Sequence, residues 1–219
     1  MPHRFIPRPA ALLLALAAAL ASPFAIAGSG RIPTDSDKLP AGVARAPAVA
    51  SQCVSCHGPA GQSENEDWPS LAGQKQSYLL QQLKDFKSGA RPHPMMAPVV
   101  ANLKDADLPV LATYFSQQPA AQPHHPAAAN AVLPPTGAAC MACHDNAALP
   151  TEPFLHGQKA AYLAEQIKAF RDGKRKNAVM EAMVKPLSDQ DVAAIALHFS
   201  TLAPIPPAAP APAAAPPKK

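Results

Sequence analysis

The sequence predicts an all-α protein made of two tandem, similar domains, and three observations support this prediction. Hydrophobic residues recur with the period of a helix in both halves, and no window alternates like a strand. Residues 69–116 repeat at 153–200 with a constant offset of 84 and identity at about 20 of 48 positions. Only 5% of the 219 residues are aromatic, while 28 are proline. We therefore expect two small domains joined and flanked by Pro-rich segments.

The N-terminus has the pattern of a secretory signal peptide. Arg4 and Arg8 precede an apolar run at 10–21, and small residues follow at a candidate cleavage site after Ala27. The apolar run is shorter than the ~20 residues that a membrane-spanning helix needs. We therefore expect export to the periplasm, cleavage after Ala27, and no transmembrane segment in the mature chain.

Composition divides the chain into six expected segments. Stretches rich in proline and alanine contain too little apolar bulk to offset the entropy of ordering. The segments are a signal peptide at 1–27, a flexible N-terminal segment at 28–39, a first domain at 40–118, a Pro/Ala-rich linker at 119–135, a second domain at 136–202 and a disordered Ala/Pro-rich tail at 203–219.

The first long helix of each repeat is predicted from spacing and from the glycine that follows it. Tyr78, Leu79, Leu83 and Phe86 share one helical face, and their repeat equivalents do the same. Gly89, like its equivalent Gly173, is placed to end the helix in the left-handed conformation. Each domain therefore has an amphipathic helix at its centre.

The last helix of each repeat is expected at about 107–116 and about 188–200. Ser188, followed three residues later by Asp191, resembles a capping box. Pro109 should delay or kink the start of the helix in the first repeat.

Each repeat also carries the motif Cys-x-x-Cys-His, which is the signature of covalent haem attachment. Two thiols one helical turn apart can each bond one vinyl group of a haem, and the following imidazole can ligate the iron. A zinc site would need its cysteine pairs much closer together, and a thioredoxin-type pair would need a βαβ pattern. We expect two covalently bound haem c groups, held by Cys53, Cys56 and His57 and by Cys140, Cys143 and His144.

The second axial ligand of each iron is expected to be methionine. A methionine opposite histidine raises the reduction potential and fills the sixth position, which favours electron transfer. Met96 and Met180 are the methionine pair in repeat register. Met95 and Met183 are close alternatives, and His93 is a further candidate in the first domain.

The free N–H of each proximal imidazole should be bonded to a backbone carbonyl, which fixes the orientation of the ring. Pro69 and Pro153 occupy equivalent positions in the two repeats and are the candidates.

These residues resemble the dihaem class I cytochromes c of the cytochrome c4 family, over about 42–117 and 137–202. The resemblance rests on CVSCHG, on the long run WPSLAGQKQSYLLQQLKDFKSGAR, on the methionines and on PLSDQD. It implies two class I cytochrome c domains, each wrapped around one His/Met-ligated haem, with the haems facing each other across a pseudo-twofold interface. It also implies an electron carrier between periplasmic respiratory partners. The second domain departs from the family, since its haem loop is three residues shorter than that of the first.

The net charge of the chain gives little information about its binding partners. The net charge of +4 becomes 17 − 15 = +2 without Arg4 and Arg8, and basic residues are interleaved with acidic ones. This excludes a nucleic-acid footprint. The densest basic cluster, at 171–176, is either a docking patch for a redox partner or a solvated helix face.

We therefore predict an electron carrier rather than an enzyme, as a monomer or weak oligomer, with redox proteins such as a respiratory oxidase or reductase as partners. One alternative is a cytochrome c subunit of a flavin- or quinone-linked dehydrogenase. A dihaem peroxidase is less favoured, because it needs an open or displaceable sixth ligand, whereas both repeats carry a methionine.

Overall fold

The structure is a computed structural model of the chain, and it describes residues 45–120, 122–123 and 131–205. Within these residues the regular structure is helical and contains no strand, which confirms the all-α prediction. The expected signal peptide, the segment at 28–39, residues 40–44 of the expected first domain, part of the linker and most of the tail lie outside the described residues.

Eight α-helices are described, four in each half of the chain. In the first half they are α1 Ser51–His57, α2 Gln76–Ser88, α3 Met96–Ala101 and α4 Asp107–Ser116. In the second half they are α5 Cys140–His144, α6 Ala160–Arg171, α7 Ala178–Val184 and α8 Asp189–Thr201. Short 3₁₀ turns occur at Ala48–Ala50, Pro59–Gly61 and Pro135–Gly137.

Each half has its own hydrophobic core. In the first half α2 packs on α4, and in the second half α6 packs on α8. The first core includes Phe86, Leu111 and Phe115, and the second includes Ile195 and Phe199. Two separate cores of equivalent residues are what a duplicated domain produces, and each is small for an independent fold.

The helix ends agree with the sequence predictions. Gly89 adopts the left-handed conformation, with φ of 79°, directly after α2. The Ser188 and Asp191 capping box is present at the start of α8. The helix α4 begins two residues later in repeat register than α8, and Pro109 lies in its first turn, where a missing N–H costs no helical hydrogen bond.

The two halves are joined by reciprocal hydrogen bonds from a pair of glutamines. Gln74 Nε2 donates to the carbonyl of Phe154 at 2.8 Å, and its Oε1 accepts from the Phe154 N–H at 2.9 Å. Gln158 makes the same two bonds to the backbone of Ser70, both at 2.9 Å. Gln74 and Gln158 are 84 residues apart, as are Ser70 and Phe154, so the interface has pseudo-twofold symmetry.

A second symmetric contact joins α2 and the turn after it to α6 and the turn after it. It consists of three side-chain pairs related by the repeat: Arg91 and Arg175, Tyr78 and Tyr162, and Gln82 and Gln166. Arg91 donates to Tyr162 Oη at 3.1 Å and to Gln166 Oε1 at 2.6 Å. Arg175 makes the mirror-image contacts to the phenol and amide of the first half, at 3.2 Å and 2.7 Å. The domains are therefore held in one defined orientation.

The glutamine contact can be tested with Gln158→Leu, a substitution that leaves the N–H and C=O of Ser70 buried without a partner. Each such group costs about 1–3 kcal/mol, so the free energy of unfolding of the holoprotein should fall by roughly 2 kcal/mol or more. Urea unfolding followed by circular dichroism measures the change. Gln81→Leu, on the exposed face of α2, is the control. An unfolding midpoint equal to that of the control would show that the contact adds no stability.

Candidate functional site

Each Cys-x-x-Cys-His motif forms one short helix. The cysteine pair lies one helical turn apart in α1 and again in α5, and the histidine is the last residue of both helices. None of the four cysteines forms a disulfide, and all are partly buried. Burial, with a contribution from Cys56, raises the pKa of Cys53 to about 11, and burial also raises the pKa of Cys140. The thiols are thus unpaired and available for two thioether bonds in each half.

Both proximal histidines have their rings fixed by a backbone carbonyl. His57 Nδ1 donates to the Pro69 carbonyl at 2.8 Å, and His144 Nδ1 donates to the Pro153 carbonyl at 2.7 Å. This confirms the prediction for Pro69 and Pro153. A donor at Nδ1 makes Nε2 the lone-pair nitrogen, which is the form that ligates a metal.

The protonation of the two imidazoles is also set by their surroundings. Both rings are buried, and burial is the main cause that lowers their pKa values, since a buried cation loses its hydration. The carbonyl bonds oppose this effect but do not reverse it. Both imidazoles are therefore biased toward the neutral state at neutral pH.

The two methionines in repeat register lie against the cores, and their alternatives do not. Met96 begins α3 and packs on the first core, and Met180 lies in α7 and packs on the second. Met95 has 59% of its surface exposed and Met183 has 44%.

Equivalent side chains fix the backbone at these methionines. His93 Nδ1 accepts from the Met96 N–H at 3.3 Å, and Asn177 Oδ1 accepts from the Met180 N–H at 3.0 Å. His93 and Asn177 are 84 residues apart in sequence. The sequence analysis predicts neither role, although Asn177, a preferred N-cap residue three positions before Met180, is an available signal.

The residues fit a covalently attached haem in both halves. The donor set comprises two unpaired thiols, an oriented imidazole with Nε2 available, and a thioether packed on the same core. Soft sulfur and imidazole ligands are those used for haem iron in cytochromes c. Among residues 45–120, 122–123 and 131–205, no group of three or more His, Cys, Asp or Glu is placed to hold a metal ion by itself.

The basic cluster at 171–176 is partly committed to intramolecular contacts. Arg175 is part of the domain interface, and its guanidinium lies 4.5 Å from the ring of Phe170. Arg171 donates to Asp189 at 2.8 Å and to the Leu187 carbonyl at 3.0 Å. The arginines of the cluster therefore contribute to the fold and the interface, while the Lys174 side chain is largely exposed. The two interpretations of the cluster, a docking patch or a solvated helix face, both stay predictions.

Fold and site together define a c-type cytochrome, a helical protein with haem attached through Cys-x-x-Cys-His. The family model of cytochrome c matches residues 43–119. Cytochrome c4 of Pseudomonas aeruginosa is 35% identical over 172 residues, which cover 71% of this chain and 86% of that protein. The chain belongs to the cytochrome c4 family.

Two further similarities agree with this assignment. A thiosulfate dehydrogenase electron acceptor of Thiomonas intermedia is 35% identical over 176 residues, covering 72% of this chain and 81% of that protein. The crystal structure of reduced recombinant cytochrome c4 from Pseudomonas stutzeri superimposes with a TM-score of 0.62 at 31% identity, covering 70% of this chain and 94% of that one. The protein is a c-type cytochrome with covalently bound haem c, and it is an electron carrier rather than an enzyme.

The helices that the structure describes include none with the length and apolar character required to cross a bilayer.

Proposed function

We propose that the protein is an exported dihaem electron carrier in which His57 and Met96 ligate one iron and His144 and Met180 ligate the other. The observation that carries this proposal is the matched geometry of the two halves. Each proximal imidazole donates to a proline carbonyl at 2.7–2.8 Å, and each methionine in register packs on the adjacent core. The relatives described as cytochrome c4 support the same assignment.

In this proposal the groups of the chain attach the haems, orient the proximal imidazoles and shield the iron from small molecules. The thiols of Cys53, Cys56, Cys140 and Cys143 form the thioether bonds, and the proline carbonyls fix the proximal rings. Haem, when bound, supplies one-electron redox chemistry. Met96 and Met180, as iron ligands, would exclude small molecules from the iron and raise the reduction potential, which would suit electron transfer and disfavour peroxidase chemistry.

The domain organisation and the compartment belong to the same proposal. The cytochrome c domains span 40–118 and 136–202, with a linker at 119–135 and a tail at 203–219. The N-terminal 27 residues direct export to the periplasm and are removed after Ala27, a compartment in which a soluble carrier meets other redox proteins.

The intact mass of the protein isolated from the periplasmic fraction tests these statements together. We expect a chain that begins at Gly28 and carries two covalent haems. A mature protein with one haem would contradict the dihaem proposal, and a chain that retains residues 1–27 would contradict the proposed cleavage.

A second candidate function is the electron acceptor of a dehydrogenase. The similarity to the Thiomonas intermedia protein, which is described as a thiosulfate dehydrogenase electron acceptor, favours this candidate. Rapid mixing of the oxidised cytochrome with a thiosulfate dehydrogenase and thiosulfate should then reduce both haems at a rate that depends on cytochrome concentration. If reduction is as slow as in the absence of the dehydrogenase, this candidate fails and the general carrier role is unaffected.

A further inference from the structure

Lys75 of the first domain reaches across the interface into the second domain. Its Nζ donates to the carbonyl of Asn146 at 2.7 Å and to the carbonyl of Leu149 at 2.8 Å. The same ammonium group lies 4.3 Å from the centre of the Phe154 ring. One side chain of the first domain thus bonds two backbone carbonyls and one aromatic face of the second.

The carbonyls that Lys75 bonds lie in the loop that orients the proximal histidine of the second haem site. This loop runs from His144 to Pro153, whose carbonyl accepts from the imidazole. The loop is three residues shorter than its counterpart in the first domain. Fewer residues of the loop itself are therefore available to make contacts that fix its conformation. The hydrogen bonds from Lys75 hold the middle of this loop in place.

The ammonium group of Lys75 also brings a positive charge to the loop that follows His144. Glu152, at the end of the same loop, lies near this ammonium group and carries the opposite charge. A positive charge on this side of the site favours the reduced iron, which carries one positive charge fewer.

The equivalent lysine of the second domain lies against the loop of the first domain. Lys159, which is 84 residues after Lys75, lies near Glu66 and Glu64. These carboxylates belong to the longer loop of the first domain. Each lysine thus lies against the loop of the opposite domain, and Lys159 belongs with the first haem site rather than with the second.

We propose that Lys75 is a positioning residue for the second haem site, where it holds the loop 145–152 from the neighbouring domain and raises the reduction potential of that site. This inference rests on the proposed function, since it requires haem iron at His144. The reduction potential of the second haem site then depends on the contact between the two domains.

The test compares Lys75→Gln, which keeps a hydrogen-bond donor and removes the charge, with Lys75→Arg, which keeps both. Lys159→Gln is the matched control. Each holoprotein is titrated spectroelectrochemically, and the transition of the second site is assigned as the one that Met180→Ala shifts.

In Lys75→Gln the second-site transition should move to lower potential. The equilibrium constant for reduction of the second site should fall about three- to tenfold, because the unit charge that is removed lies in contact with the loop after His144 and is partly screened. A tenfold fall corresponds to about 59 mV for one electron. Lys75→Arg and Lys159→Gln should leave that transition within about twofold of the original equilibrium constant.

An unchanged second-site transition in Lys75→Gln would overturn the inference, as would equal shifts in Lys75→Gln and Lys75→Arg, which would indicate a purely steric effect. Failure of the proposed ligation gives a different result. In that case Met180→Ala itself moves neither transition, whatever Lys75→Gln does.

Discussion

The Met96→Ala holoprotein is expected to keep both covalent haems and to lose the methionine-to-iron charge-transfer band of one site. About half of the band intensity should remain, contributed by the second site. The potential of the first site should fall by on the order of 0.1–0.3 V, a substantial part of the roughly 0.8 V range that axial ligands span. A redox titration followed by absorbance at the charge-transfer band measures both the loss of the band and the fall in potential.

The neighbouring methionine provides the matched control. Met95 is 59% exposed, and Met95→Ala removes a side chain of the same type from the preceding position. It should leave the band and both transitions unchanged. The second domain offers the same comparison between Met180→Ala and Met183→Ala. Loss of the band in Met95→Ala but not in Met96→Ala would assign the ligand to Met95 and contradict the proposed pair.

The double variant Cys140→Ser/Cys143→Ser is expected to lose one haem and the cooperative folding of the second domain. The buried cluster of this domain contains eight residues, from Leu163 to Phe199. A core of this size in a domain of about 65 residues is marginal without additional burial, and the haem supplies that burial. Intact mass and near-UV circular dichroism measure the two losses.

The reciprocal variant Cys53→Ser/Cys56→Ser serves as the comparison, because it should unfold the first domain and keep the second haem. Hydrogen exchange resolved along the chain locates the unfolded part in each case. If the amides of the second domain stay protected from exchange in Cys140→Ser/Cys143→Ser, the protein core alone is sufficient for folding. That result would contradict the expected dependence of this domain on haem.

Local features of the fold could be predicted from the sequence because their determinants are close together along the chain. The capping box at Ser188 and the left-handed Gly89 each depend on a few neighbouring residues. The bonds from the proximal histidines to Pro69 and Pro153 also join residues that are only 12 and 9 positions apart. In these cases the residue types and their spacing were sufficient.

The residue contacts that form the interface could not be predicted, because the partners lie about 70–100 residues apart. Repetition of Gly-Gln-Lys shows that Gln74 and Gln158 are equivalent, but it does not distinguish a bond within a domain from a bond to the other domain. The role of Arg175 could not be predicted for the same reason, since a cluster of basic residues in sequence does not reveal that one of them crosses to Tyr78 and Gln82. The residues alone leave both Met95 and Met96 as candidate ligands, and the packing of Met96 on the first core supports the proposal of Met96.

The most direct test of the central claim is a spectroelectrochemical titration of the unmodified holoprotein, in which the α-band and the methionine-to-iron charge-transfer band are followed together. The account predicts two one-electron transitions of low-spin haem at high potential, with the methionine band present in the oxidised form of both. A single transition, or one site that titrates far lower and lacks the band, would contradict a carrier with His57/Met96 and His144/Met180 as its two ligand pairs.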